Sequence, residues 1–175
     1  MDSTHDAIVY DLDGTLVRLA VDWAAVRRSV VDVLEAGGTN PGGADLWSML
    51  DIADAAGLAD EVETTIAEFE RAGARESERL PLADDLPQDR PVGVCSLNCV
   101  DACEIALDTH GLAAHVDAVV GRDSLPEQKP DPEPLLAVLE RLDAEPSRSL
   151  FVGDSDSDAE TARAAGVDFE FVSDR

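Results

Sequence analysis

The chain has 175 residues, 45% of them apolar, and sets 38 Asp and Glu against 13 Lys and Arg for a formal net charge of −25. That length suits one domain, or a modest domain carrying an insertion. Such acidity repels phosphate backbones and anionic lipid faces, no apolar run approaches the roughly 18 residues a membrane helix needs, and no basic-then-apolar leader is present, so the expectation is a cytoplasmic protein without nucleic-acid or membrane partners.

Ala7-Ile8-Val9-Tyr10 is a continuous apolar run, the pattern of a strand covered on both faces. From 16 to 87 no convincing strand appears. Trp23, Val26, Val30, Val33 and Leu34 fit one amphipathic helix, which Gly37-Gly38 and the stretch from Asn40 to Gly43 end. Leu46, Met49, Leu50 and Ala53 fit a second helix, and Val62, Ile66 and Phe69 a third; Pro81, Pro87 and Pro91 punctuate the return. Strand-like runs then recur at Pro91 to Cys95, Val116 to Val120, Ser149 to Val152 and Asp168 to Val172. Between them Val100, Cys103 and Leu107, then Leu135, Val138, Leu139 and Leu142, then Ala159, Ala162 and Ala165 recur at helical spacing. Strand–helix alternation implies βαβ units and a parallel sheet, hence an α/β fold. The economical division is a core formed by 1–15 and 88–175, with a helical insertion over 16–87 after the first strand.

Polar groups cluster just beyond these strands, where parallel α/β sheets bind ligands. They are Asp11 and Asp13, Ser96, Lys129, and Asp154 with Asp158. Asp11 and Asp13, at i and i+2 of an extended segment, face one pocket. The set is coherent for phosphoryl transfer. A hard divalent cation such as Mg²⁺, held by Asp11 and Asp154, offsets the charge of an attacking carboxylate and of the phosphate. Asp11 is the nucleophile that forms an acyl-phosphate, and Asp13 the general acid for the leaving alkoxide and then the base for water. Lys129 neutralises the nucleophile and phosphoryl oxygens, while Ser96 and nearby backbone N–H groups, at Leu97 and Asn98, hold the phosphoryl group.

The stretch from Tyr10 to Leu16, with Asp11-Leu12-Asp13-Gly14-Thr15 at its centre, resembles motif I of the haloacid dehalogenase superfamily. Val94-Cys95-Ser96 resembles motif II, Lys129-Pro130-Asp131-Pro132 motif III and Gly153 to Asp158 motif IV. The ordered set spans essentially the whole chain. The resemblance implies a Rossmann-like, three-layer core with strand order 5-4-1-2-3 and an inserted all-helical cap. It also implies Mg²⁺ bound by Asp11, the carbonyl of Asp13 and Asp154, with Asp158 either a further ligand or an acid behind them. The insertion resembles a short form of the cap in the subclass containing phosphoglycolate phosphatase and β-phosphoglucomutase. Leu97 stands where the family often has Asn, and Asn98 is the candidate for that role. Asp13 favours phosphoryl transfer over dehalogenation, and a cap without lysine excludes Schiff-base phosphonate cleavage.

The implied activity is Mg²⁺-dependent hydrolysis of a small phosphorylated metabolite, phosphoglycolate-like or a sugar phosphate, by a monomer or homodimer. A phosphosugar mutase and a non-catalytic phosphate-binding or phospho-receiver module are the alternatives. Asp156 reads as solvated surface, Trp23 as core of the cap, and His5, His110 and His115 as structural or surface. The cap arginines Arg18, Arg27, Arg28, Arg71, Arg75 and Arg79 read as partners of surface acids. Cys95, Cys99 and Cys103 read as small buried apolar residues. An excess of Asp over Glu, with Lys129 the sole lysine, reads as adaptation to concentrated salt, where surface carboxylates are screened.

Overall fold

The computed structural model describes residues 5–175. Its strands are β1 (Ala7–Tyr10), β2 (Val17–Arg18), β3 (Glu78–Arg79), β4 (Val92–Cys95), β5 (Ala118–Val120), β6 (Ser149–Gly153) and β7 (Asp168–Phe171). Its α-helices are α1 (Trp23–Ala36), α2 (Leu46–Ala56), α3 (Ala59–Arg75), α4 (Val100–Thr109), α5 (Glu133–Arg141) and α6 (Asp156–Ala165).

Five strands make one parallel sheet in the order β5-β4-β1-β6-β7. Counted among sheet strands alone and read from the other edge, this is the expected order 5-4-1-2-3. Alternation along each strand explains the unbroken apolar runs. Ile8 and Tyr10, with Val92, Val94, Leu150 and Val152, pack with Cys103, Ala106 and Leu107 of α4. Ala7 and Val9, with Phe151, pack with Leu135, Val138 and Leu139 of α5 and Ala162 of α6. Successive side chains point to opposite faces and both faces are covered, so neither can be polar.

The three helices α1 to α3 follow β1 and have a core of their own, built from Val26, Val30, Leu34, Met49, Ala53, Val62 and Ile66. Asp22 and Asp45 cap α1 and α2 by accepting from Ala25 N and Ser48 N, and Gly57 ends α2 in the left-handed region. Helix α3 serves two cores. Val62 and Ile66 belong to the helical group, whereas Ala67 and Ala74 pack with the sheet's α4 side.

Two expectations change. The stretch from 16 to 87 does contain strands: β2 and β3 pair antiparallel, Val17 opposite Arg79 and Arg18 opposite Glu78, and so tie the entry and exit of the insertion together. Two-residue strands are too short to show a period in sequence. Trp23 is not in the core of the helical group but 38% exposed. It lies on the stripe of Val26 and Val30, but as the first residue of α1, where the stripe runs out over the carboxyl ends of the sheet strands.

Candidate active site

Four loops at the carboxyl ends of β1, β4, β5 and β6 converge on a pocket of about 200 Å³. The sheet itself holds them: Asp11 N donates to Val152 O at 2.9 Å and Ser96 N to Val120 O at 3.0 Å. Asp11, Asp13, Ser96, Leu97, Asn98, Lys129 and Asp154 all line the pocket; Asp158 is buried behind it in the first turn of α6.

Lys129 is the hub. Its Nζ donates to Asp11 Oδ1 at 3.0 Å, Asp158 Oδ1 at 2.5 Å and the Cys95 carbonyl at 3.1 Å. Burial works to strip the ammonium of its proton, but Asp11 and Asp158 together outweigh it and hold Lys129 protonated above its ordinary range. Burial raises the Asp11 carboxyl, with the Lys129 ammonium pulling the other way. The other oxygen of Asp158 accepts from Ser155 N at 3.2 Å and Ser155 Oγ at 2.8 Å, and Asp158 N donates back to Ser155 Oγ, the reciprocal cap that starts α6. Asp158 is therefore clamped between a helix start and the lysine it orients.

Asp13 is held by Leu19 N, which donates to its Oδ1 at 2.9 Å, and burial pushes its carboxyl up from the ordinary range. Carboxylate oxygens of Asp11, Asp154 and Asp158 lie within 4.8 Å of one another. Glycine makes the approach possible. Gly14 has φ +87°, and a Cβ there would stand 2.1 Å from Asp154 Oδ2. A Cβ on Gly153 would likewise meet Asp158 Oδ2 at 2.5 Å. Asp156 is exposed, as the sequence suggests.

Glu63, Glu70 and Arg122 are site residues that the sequence reading missed. Glu70, on α3, is 0% exposed. It accepts from Arg122 NH1 at 2.5 Å and NH2 at 2.9 Å, from Asn98 Nδ2 at 3.2 Å and from Cys99 N at 3.1 Å. Arg122 also pairs with Glu63 at 2.7 Å and donates to the Leu97 carbonyl at 2.8 Å. Ser96 is thus bracketed: one cation holds the carbonyl before it, another the carbonyl after it. Asn98 Oδ1 accepts from Ser96 Oγ at 3.1 Å, and Asn98 N donates to Ser96 Oγ at 3.1 Å, completing the turn. One legible signal existed, since Glu70 falls four residues after Ile66, an acid within an apolar stripe.

The remaining expectations sort simply. Arg18 pairs with Glu78, Arg71 with Asp101 and Arg79 with Asp84, while Arg27 donates to the Ala44 carbonyl and Arg75 to the Arg71 carbonyl. All three cysteines are free and buried. No helix among the described residues is long and apolar enough to cross a membrane.

Comparison with known proteins agrees with this geometry. The family profile described as haloacid dehalogenase-like hydrolase matches residues 86–172. A phosphoglycolate phosphatase from Cereibacter sphaeroides is 34% identical over 181 residues, covering 93% of this chain and 82% of that protein. The Escherichia coli phosphoglycolate phosphatase is 27% identical, over 91% of this chain and 77% of its own length. In three dimensions the chain resembles CbbY from Rhodobacter sphaeroides in complex with phosphate, with TM-score 0.69 and 19% identity over 95% of this chain and 85% of that one, a likeness of fold.

Proposed function

We propose that this chain, which belongs to the haloacid dehalogenase-like hydrolase family and is a phosphatase, hydrolyses a small phosphorylated metabolite, phosphoglycolate-like or a sugar phosphate, as a Mg²⁺-dependent phosphomonoesterase working through an aspartyl-phosphate on Asp11. The observation that carries it is the gathering of Asp11, Asp13, Ser96, Lys129 and Asp154 around one pocket at the carboxyl ends of four parallel strands. The whole chain divides, in this reading, into a catalytic core of 1–15 and 88–175 and a cap of 16–87.

The donor set fits Mg²⁺. Three carboxylates within 4.8 Å offer only hard oxygens, and the space that Gly14 leaves keeps Asp154 close. Asp11, Asp154 and the Asp13 carbonyl would hold the ion, while Asp158, already accepting from Lys129 and Ser155, positions the lysine. The ion would supply positive charge to the phosphoryl oxygens, which lets two anions approach.

The residues then divide the labour. An Asp11 oxygen attacks phosphorus, and the P–O bond to the alcohol breaks. The Asp13 carboxyl, which burial keeps inclined to hold a proton, gives that proton to the departing alkoxide. Asp13 next takes a proton from water, whose oxygen attacks phosphorus and breaks the Asp11 O–P bond, releasing inorganic phosphate. Lys129 bears on Asp11 throughout. Ser96, fixed by Asn98 and by the carbonyls on either side of it, meets the phosphoryl oxygens. The test is phosphate release from p-nitrophenyl phosphate with Mg²⁺. Release that EDTA and Asp11→Asn both abolish is expected; release indifferent to either overturns the reading.

A further inference from the structure

Both of the chain's two tryptophans line the catalytic pocket. Trp23 opens α1 and Trp47 is the second residue of α2. Among the described residues they are also the two exposed large apolar side chains, at 38% and 45%, the others being buried or partly buried. An exposed indole at each of two helix starts, both over one pocket, offers flat apolar surface on which a ring can stack.

The charge at the same place is equally informative. Of the 13 basic residues only Lys129 lines this pocket. Its ammonium is already engaged by Asp11, Asp158 and the Cys95 carbonyl. Arg18 lines a different pocket, with Leu80, Pro81 and Arg175, and pairs with Glu78. The remaining charged lining, Asp11, Asp13 and Asp154, is negative. A second anionic group on the substrate, such as a carboxylate, would find no further basic side chain in the lining to pair with. The volume, about 200 Å³, suits a phosphate and a single ring rather than a dinucleotide.

We propose that the alcohol half of the substrate is an uncharged single ring, a sugar or an aryl group, whose apolar face rests on Trp23 and Trp47. The proposal rests on the phosphatase reading above and narrows it: the ring monophosphates are substrates and phosphoglycolate is a poor one. Stacking on a ring face that the reaction leaves unchanged is the same in the ground and transition states, so it acts chiefly through KM.

The experiment measures kcat/KM with Mg²⁺ for hexose and pentose monophosphates, phenyl phosphate, methyl phosphate, phosphoglycolate and 3-phosphoglycerate. The sugar and phenyl arms separate the two kinds of ring. The expected result is a ring substrate exceeding phosphoglycolate by about tenfold or more. Trp23→Ala and Trp47→Ala should each lower the preference for ring over methyl phosphate by roughly five- to tenfold, chiefly through KM. Trp23→Phe and Trp47→Phe, which keep a ring in place, should restore most of it and so answer any concern about folding. Preference for phosphoglycolate, or an unaltered ring-to-methyl ratio in both alanine variants, overturns the proposal while leaving the phosphatase reading intact. Absence of Asp11-dependent turnover on every ester overturns both.

Discussion

Lys129 and Arg122 are both buried, each contacts two carboxylates, and each grips a carbonyl beside Ser96, yet the two clusters are built for different ends. Lys129 brings a compact ammonium to Asp11 at the pocket wall, so the surplus negative charge of its trio faces the space where phosphate would sit. Arg122 lays a planar fork across Glu70, wholly inside, and Glu63, whose side chain is 35% exposed, so the surplus charge of this trio is solvated by water. Lysine suits a site whose charge must be offset point by point, and arginine suits a fixed, many-donor joint. The comparison teaches that burial and pairing alone do not identify catalysis. What separates the clusters is where the unbalanced charge points.

The largest effect tests the lysine side. Asp11→Asn should lower kcat by roughly a thousandfold or more, with the fold retained by circular dichroism. A variant that still turns over would remove the functional meaning of that cluster. On the arginine side, Arg122→Met strands Glu70 without its charge partner and should cost about 3–5 kcal/mol in urea denaturation. Adding Glu70→Leu removes the stranded charge and should recover only part of that stability, because Asn98 Nδ2 and Cys99 N then lack their acceptor. In both variants kcat should stay below that of the parent protein, because the Ser96–Asn98 turn lacks its anchor. Recovery of both would show that the joint is replaceable packing. Lys129→Arg should cost about a hundredfold in kcat with a smaller stability loss than Arg122→Met, since a fork cannot reproduce three contacts at one point.

Salt should discriminate buried from exposed charge. Raising KCl from roughly 0.1 to 2 M screens the net −25 and should lift Tm by about 5 °C, with the Arg122→Met penalty little altered because that pair is out of reach of ions. A Tm flat across that range would reject adaptation to salt. The smallest expected effect is at Cys99, whose N–H donates to Glu70. Burial pushes its thiol up to about 12, so at pH 8 it is protonated and a poor nucleophile. Iodoacetamide should leave it unmodified in the native protein, and should label it earlier in Arg122→Met, as loss of the joint loosens the turn.

Much of the core was legible because its signals are local. A strand covered on both faces is apolar nearly throughout, so Ala7–Tyr10 and Ser149 to Val152 stood out as runs with the chemistry at their ends. Asp11 and Asp13 sit two residues apart, and Ser155 and Asp158 three, so local spacing places their groups. The β2–β3 ribbon was not legible, since two residues carry no period and its strands are joined only across the whole insertion. Of the Glu70–Arg122 joint only half was legible: an acid in the apolar stripe of α3 hints at a buried charge, but its partner lies 52 positions away.

Trp23 marks the boundary most clearly. Its spacing with Val26 and Val30 set its stripe correctly, but a stripe says only which side of a helix is apolar, not what stands opposite. The sequence by itself determined the parallel α/β sheet, the helical insertion and the residues at the strand ends, because those depend on periodicity and short-range spacing. Only the tertiary structure decided that the insertion sets two indoles over those acids, that Glu70 and Arg122 lock the Ser96 turn, and that Asp158 serves Lys129. Those are contacts between distant segments, and their energies depend on which groups the fold removes from water together.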